Sequence, residues 1–138
     1  MSVSQLAIVD HHGPFRKAVR QLLSLEPNVR IIGEASDYQG AIRLGAKQNL
    51  DLILFDLSMP GNAFNAIKKI KKTCPTTKIL VLGIEDSEPY VLKAFKAGAD
   101  GFYLKDCGRG ELVSAIRSVL AGQKYRTAQC PKSDPPTV

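Results

Sequence analysis

The chain has 138 residues, 44% of them hydrophobic and 23% charged, with a formal net charge of +6. That is an ordinary globular composition, with room for one compact domain and its core but not for two. Its longest apolar runs, such as residues 52–55 and 79–82, are far too short to cross a bilayer, and the N-terminus lacks a signal-peptide layout, so a cytoplasmic protein without membrane contact is expected.

Taken in chain order, apolar runs of strand length stand at residues 6–9, 29–32, 52–55, 79–82 and 102–104, each bounded by Gly, Pro, Asp or Asn. Between them the apolar period changes to that of a helix. Phe15, Ala18, Val19, Leu22 and Leu23 form the first such stripe, and Tyr38, Ala41, Ile42 and Gly45 the second. Ala63, Ala66, Ile67 and Ile70 follow, then Val91, Ala94 and Phe95, then Leu112, Ala115, Ile116, Val119 and Leu120. Five short, unalternated strands in strict alternation with five amphipathic helices imply an α/β protein with a doubly wound, five-stranded parallel sheet buried on both faces. After Ala121 the pattern stops. Residues 123–138 hold three prolines and few apolar side chains, and read as a linker or tail to a domain spanning 1–122.

The remaining composition is bland. Lys68, Lys69, Lys71 and Lys72 carry much of the positive charge beside Ile67 and Ile70, as a solvated helix face does, with no interleaved aromatics to stack bases. Cys74, Cys107 and Cys130 are odd in number and share no metal or CxxC spacing, so reduced thiols are expected. Cys107 would become a redox handle only if the nearby Lys105 ammonium lowered its pKa; the ordinary reading is an inert loop cysteine.

In open parallel sheets, ligands bind beyond the carboxyl ends of the strands. There the first strand delivers Asp10, His11 and His12, the third Asp56, Leu57 and Ser58, the fourth Gly83 and the fifth Lys105. A lone aspartate at a strand end is usually a cap or turn former. Asp10, Asp56 and Lys105 at three separate strand ends are harder to dismiss together, since two carboxylates and an ammonium converge there. The loops GPF and MPG match neither a P-loop nor a dinucleotide fingerprint, which disfavours a nucleotide-binding enzyme.

The runs IVDHHGPFRKAVRQLL, DLILFDLSMPG and KILVLGIEDSEPYVLKAFKAGADGFYLKD, in that order and spacing, resemble a bacterial two-component response-regulator receiver domain over residues 5 to about 125. The segment KAGADGFYLKD, with its Lys-Asp pair, is similar to the NarL/FixJ type. The resemblance implies the (βα)5 flavodoxin-like receiver fold with strand order 2-1-3-4-5. It implies Asp56 as phosphoacceptor, Lys105 as phosphoryl-binding cation, and Mg2+ held by Asp10, Asp56 and the main chain of Ser58. Phe102, three residues before Lys105, matches the switch aromatic, and His12 matches a histidine of the subfamily. Implied partners are a sensor histidine kinase, a second copy in a homodimer, and DNA through a C-terminal helix-turn-helix domain that is not in this chain. The stretch AGQKY resembles the exit to such a domain, so the sequence is either a receiver cut before it or one that stands alone. Output would run through residues 86–120.

Three departures bear on function. The second acid of the first loop is His11, and imidazole is a poor ligand for Mg2+, which prefers oxygen. Weak or absent Mg2+ binding is expected; the alternative is that His11, Asp10 and Asp56 hold a softer ion such as Mn2+ or Zn2+, against the ordinary fate of a solvated loop histidine. The fourth strand ends in Gly83, not in a Thr or Ser. A hydroxyl bond to a charged group contributes about 1.5–3 kcal/mol, as much as a typical coupling free energy of about 1–3 kcal/mol, so most of the switch coupling is expected to be lost. The third loop, MPGNAFNAIKKI, lacks an Asp-Gly and looks one residue shorter than usual. These departures favour an atypical receiver whose phosphorylation is weak, absent or replaced by another input. The alternative is a pseudo-receiver acting as a phosphorylation-independent interaction module. An aspartate-dependent phosphatase of the haloacid dehalogenase type is a remote alternative, because Ser58 stands where it needs a second acid. A flavodoxin-like electron carrier lacks both its phosphate loop and its aromatics here.

Overall fold

The computed structural model describes residues 2–85 and 87–127. Strand β1 (Ser4–Val9) is followed by α1 (Gly13–Leu23), β2 (Val29–Ala35), α2 (Tyr38–Lys47), β3 (Leu52–Asp56), α3 (Ala63–Thr73), β4 (Lys78–Gly83), α4 (Glu88–Ala97), β5 (Gly101–Leu104), a 3-10 turn at Lys105–Cys107, α5 (Arg109–Leu120) and β6 (Tyr125–Arg126). All pairings are parallel, in the order β2-β1-β3-β4-β5-β6. The expected doubly wound order 2-1-3-4-5 is present, with one further strand at its edge.

Local chemistry sets the element ends. Asp37 caps α2 by accepting the Gly40 N–H at 2.7 Å, and Asn62 caps α3 by accepting the Asn65 N–H at 3.0 Å. Proline stands in the first turn of α1 and of α4, where its missing N–H costs no helix bond. The short third loop closes on Gly61, whose φ of +111° suits glycine, directly before the Asn62 cap. Every residue of β3 is buried, which explains its unbroken apolar run ending in a carboxylate.

The first crossover steps one way across the sheet and the next four step the other way, the last of them through α5. Right-handed connections therefore place α1 on one face and α2, α3 and α4 on the opposite face. Helix α5 lies beside α1, and Arg117 reaches Glu26 at 2.6 Å. The register brings Val9 beside Phe55, Asp56 beside Leu82 and Gly83 beside Leu104. Residues 10, 56, 83 and 105 thus meet at one end of the sheet.

One expectation is extended and one is corrected. Residues 123–138, read as a linker, begin inside the fold: Gly122 turns at φ +91° and sends the chain back along β5, where Tyr125 pairs with Gly101 and Arg126 with Phe102. Thr127 is 2% exposed and donates its N–H to the Phe102 carbonyl at 3.0 Å. The rest of that segment, 128–138, and Asp86 at the start of the expected output face lie outside the described residues. Cys74 is a free thiol, as expected, but Cys107 is disulfide-bonded. No described helix is long and apolar enough to cross a membrane.

Candidate functional site

Asp10 directly follows β1 and Asp56 closes β3; both are fully buried. Lys105 opens the turn after β5 and lays its Nζ 2.7 Å from Asp10 Oδ2 and 3.5 Å from Asp56 Oδ1. The same ammonium sits 4.6 Å from the centroid of the Phe15 ring, so α1 supplies a cation–π contact that aims the lysine inward. The sequence-predicted trio therefore meets in one place.

Each carboxylate is held by its own loop. Asp10 Oδ1 accepts the His12 N–H at 2.9 Å, and the Asp10 carbonyl accepts from Arg16 at 2.6 Å. Asp56 Oδ1 accepts both the Ser58 N–H at 3.0 Å and the Ser58 hydroxyl at 2.7 Å. His11, half exposed, places Nδ1 3.2 Å from Asp56 Oδ2 and 4.0 Å from Asp10 Oδ1. Burial works to raise the Asp56 pKa, but the two Ser58 bonds, the Lys105 charge and the His11 contact outweigh it and hold the carboxyl below its ordinary value. Asp56 is thus kept ionised.

Asp10 Oδ2 is buried and has no hydrogen bond among the described residues, although Lys105 lies 2.7 Å away and pairs with it electrostatically. Two buried carboxylates face one ammonium, an arrangement that favours a further cation. Its fit to Mg2+ is poor. Asp10, His11 and Asp56 bring one ligand atom each within 4.8 Å of one another, and one of the three is an imidazole nitrogen where Mg2+ prefers oxygen.

The switch positions also meet. A Cβ placed on Gly83 would lie 2.5 Å from Phe102 Cζ and 3.2 Å from both Cε atoms. Phe102 is fully buried, so its ring occupies the volume that a side chain at position 83 would need.

Sequence reasoning assigned Tyr38, Phe15 and Arg16 no part in this site. The Tyr38 hydroxyl donates to the Asp56 carbonyl at 2.9 Å and accepts the Met59 N–H at 3.2 Å, while its ring stacks on Phe55 at 5.2 Å. Burial above all raises the Tyr38 pKa, so the phenol stays protonated and keeps the turn after β3 pinned. The sequence signal for Tyr38 was a hydroxyl on an otherwise apolar helix stripe.

The chain matches the family model of the response regulator receiver domain over residues 6–117. It is 36% identical over 122 residues to the transcriptional regulatory protein DegU of Brevibacillus brevis, covering 88% of this chain and 52% of that protein. It is 35% identical over 119 residues to the nitrate/nitrite response regulator protein NarL of Escherichia coli (strain K12), covering 86% of this chain and 55% of that one. The chain spans about half the length of these curated relatives. Among solved structures, a two-component response regulator of the LuxR family from Aurantimonas sp. SI85-9A1 superposes with a TM-score of 0.86 at 31% identity, over 94% of this chain and 91% of that one. A parallel sheet that gathers two carboxylates and a lysine at its carboxyl end, together with a match over residues 6–117, means that the chain belongs to the response regulator receiver domain family.

Proposed function

We propose that Asp56 is the phosphoacceptor of this receiver and that loading it moves Phe102 little, because Phe102 is already packed inward over Gly83. The observation that carries the first half is the Asp56 carboxylate itself: buried, held ionised, and 3.5 Å from an ammonium. Oδ1 is engaged by Ser58, so Oδ2, facing the half-exposed His11, is the attacking oxygen. That oxygen forms a bond to the donor's phosphorus as the donor's bond to its leaving group breaks and carries its electron pair away, leaving an acyl phosphate on Asp56. Lys105 meets the negative charge spread over the phosphoryl oxygens. No further enzymatic turnover is assigned to the site.

Gly83 carries the second half. Without a hydroxyl at the end of β4, the phosphoryl group has no side-chain bond there with which to pull β4. The fully buried Phe102 has no open volume over Gly83 left to enter.

On the strength of the curated relatives, we assign residues 1–122 to the receiver and residues 123–138 to the connection towards an output region. The partners that follow are a sensor histidine kinase as donor, a second copy in a homodimer, and DNA through a C-terminal helix-turn-helix domain, in the service of transcription control, with this chain itself in the cytoplasm. The test is intact mass after brief incubation with a small-molecule phosphodonor, beside Asp56→Asn. A single added phosphoryl group on wild type alone supports the reading; equal labelling of both, or of neither, overturns it.

A further inference from the structure

We infer that the cluster of Asp10, His11 and Asp56 at the carboxyl ends of β1 and β3 is a site for a first-row transition-metal dication of the zinc type, with His11 as its nitrogen ligand, and that it selects such ions over Mg2+. The inference shares the Asp10 and Asp56 carboxylates with the phosphoacceptor reading but does not depend on phosphoryl transfer.

Three observations carry it. His11 Nδ1 and Asp56 Oδ2 stand 3.2 Å apart, and Asp10 supplies a third ligand atom within 4.8 Å of both. Ligands about 2.05 Å from an ion at tetrahedral angles lie about 3.3 Å from one another. The His11–Asp56 pair is therefore already spaced as two corners of a zinc-type site. The 4.0 Å gap between His11 Nδ1 and Asp10 Oδ1 needs to close by less than an ångström, and His11, half exposed on the loop after β1, is free of the packing that would prevent this. Second, Asp10 Oδ2 is a fully buried carboxylate oxygen with no hydrogen bond among the described residues, and its ion-pair partner Lys105, at 2.7 Å, is shared with Asp56, so one ammonium faces two buried carboxylates. Third, the donor set is one imidazole nitrogen and two carboxylates. Imidazole suits zinc, copper and nickel, whereas all-oxygen shells suit Mg2+. Lys105 at 2.7 Å from Asp10 Oδ2 lowers the affinity of the site for any cation, which makes a strong nitrogen ligand the more necessary. The competing account of the same geometry is that His11 is itself the resident counter-charge of Asp56 and ligates nothing.

The test titrates the whole chain with Co2+ and Zn2+, each alone, without phosphodonor, and then with Mg2+. Wild type is expected to develop the intense visible absorption of tetrahedral Co2+, which Zn2+ abolishes and millimolar Mg2+ does not. His11→Asp restores an all-oxygen set. It is expected to lose the tetrahedral spectrum, to weaken Zn2+ binding by at least about tenfold, within the range seen when metal-site residues are altered, and to gain Mg2+ affinity. Asp10→Asn serves as a second variant and should also lose the Co2+ spectrum. Circular dichroism confirms that each variant is folded. Absence of Co2+ absorption in folded wild type, equal Zn2+ affinity in wild type and His11→Asp, or displacement of Zn2+ by equimolar Mg2+ overturns the inference. Each of these results leaves the labelling of Asp56 to be read separately.

Discussion

Phe102 and Gly83 occupy one volume between them: the ring tip lies 2.5 Å from where a Cβ on residue 83 would stand, and the ring is fully buried. A side chain at 83 and an inward ring at 102 exclude each other. Gly83→Thr is therefore expected to expel the ring or strain β4, at the cost of about 1–3 kcal/mol that overpacking brings. Phe102→Ala alone should cost about 3–5 kcal/mol by emptying its pocket. The double variant should cost clearly less than the two single losses combined, because the alanine makes room for the threonine. Urea unfolding of the four proteins measures this, and additive losses would show that the two positions do not compete.

Tyr38→Phe keeps the stack on Phe55 but removes the hydroxyl that joins the Asp56 carbonyl to the Met59 N–H. Leaving these buried groups without their partner is expected to destabilise the chain by about 1–3 kcal/mol. Because the lost bonds hold the turn after Asp56, the initial rate of labelling by a phosphodonor should fall as well. A variant with unaltered thermal midpoint and unaltered labelling would contradict this role.

The folded-state pKa of Asp56 lies below the ordinary carboxylate value of 3.8, despite burial, because of Ser58, Lys105 and His11. Folding thus favours its ionised form. The resulting stabilisation is complete above the unfolded pKa and is lost as pH falls through the folded value. Between pH 6 and pH 3, wild type should lose stability more steeply than Asp56→Asn, which has no proton to take up there. Parallel acid profiles for the two proteins would contradict the assigned shift.

Strand β6 closes the edge of β5. The Tyr125 hydroxyl bonds Glu111 of α5, Arg126 pairs with Glu88 of α4 at 2.9 Å, and Thr127 holds the backbone of Phe102 and Leu104. Truncation after Gln123 is expected to leave the outer edge of β5 unpaired, and exposed edges template association. Analytical ultracentrifugation should show greater self-association of the truncated chain. Thr127→Val, which removes the hydroxyl bond to Leu104, should cost only about 0.5–1.5 kcal/mol and leave the mass unchanged. A truncated chain that self-associates no more than the full one would show that β6 guards no edge.

The fold was legible because parallel strands buried on both faces must be apolar throughout, as in residues 52–55, while helices between them show their single buried stripe. The convergence of Asp10, Asp56 and Lys105 was legible for a related reason. A carboxylate at the end of such a run, as Asp56 is, cannot be placed there by core packing alone. Strand β6 was not legible, since two residues, Tyr125 and Arg126, carry no periodicity and their pairing depends on the turn at Gly122. The role of Tyr38 was hidden in a helix stripe, and that of Phe15 in its distance along the chain from Lys105. Gly83 was visible as a missing hydroxyl. That its absence admits the Phe102 ring depends on the β4–β5 register, which only the assembled sheet supplies.

The most direct measurement is the NMR spectrum of the chain labelled with 15N throughout and with 13C in its phenylalanine rings, recorded before and after saturation with beryllofluoride and a divalent cation. The account expects the amide signals of Asp56, Leu57 and Ser58 to move on binding while the Phe102 ring signals stay in place. Movement or doubling of the Phe102 ring signals in step with saturation, or no response at Asp56 at all, would contradict it.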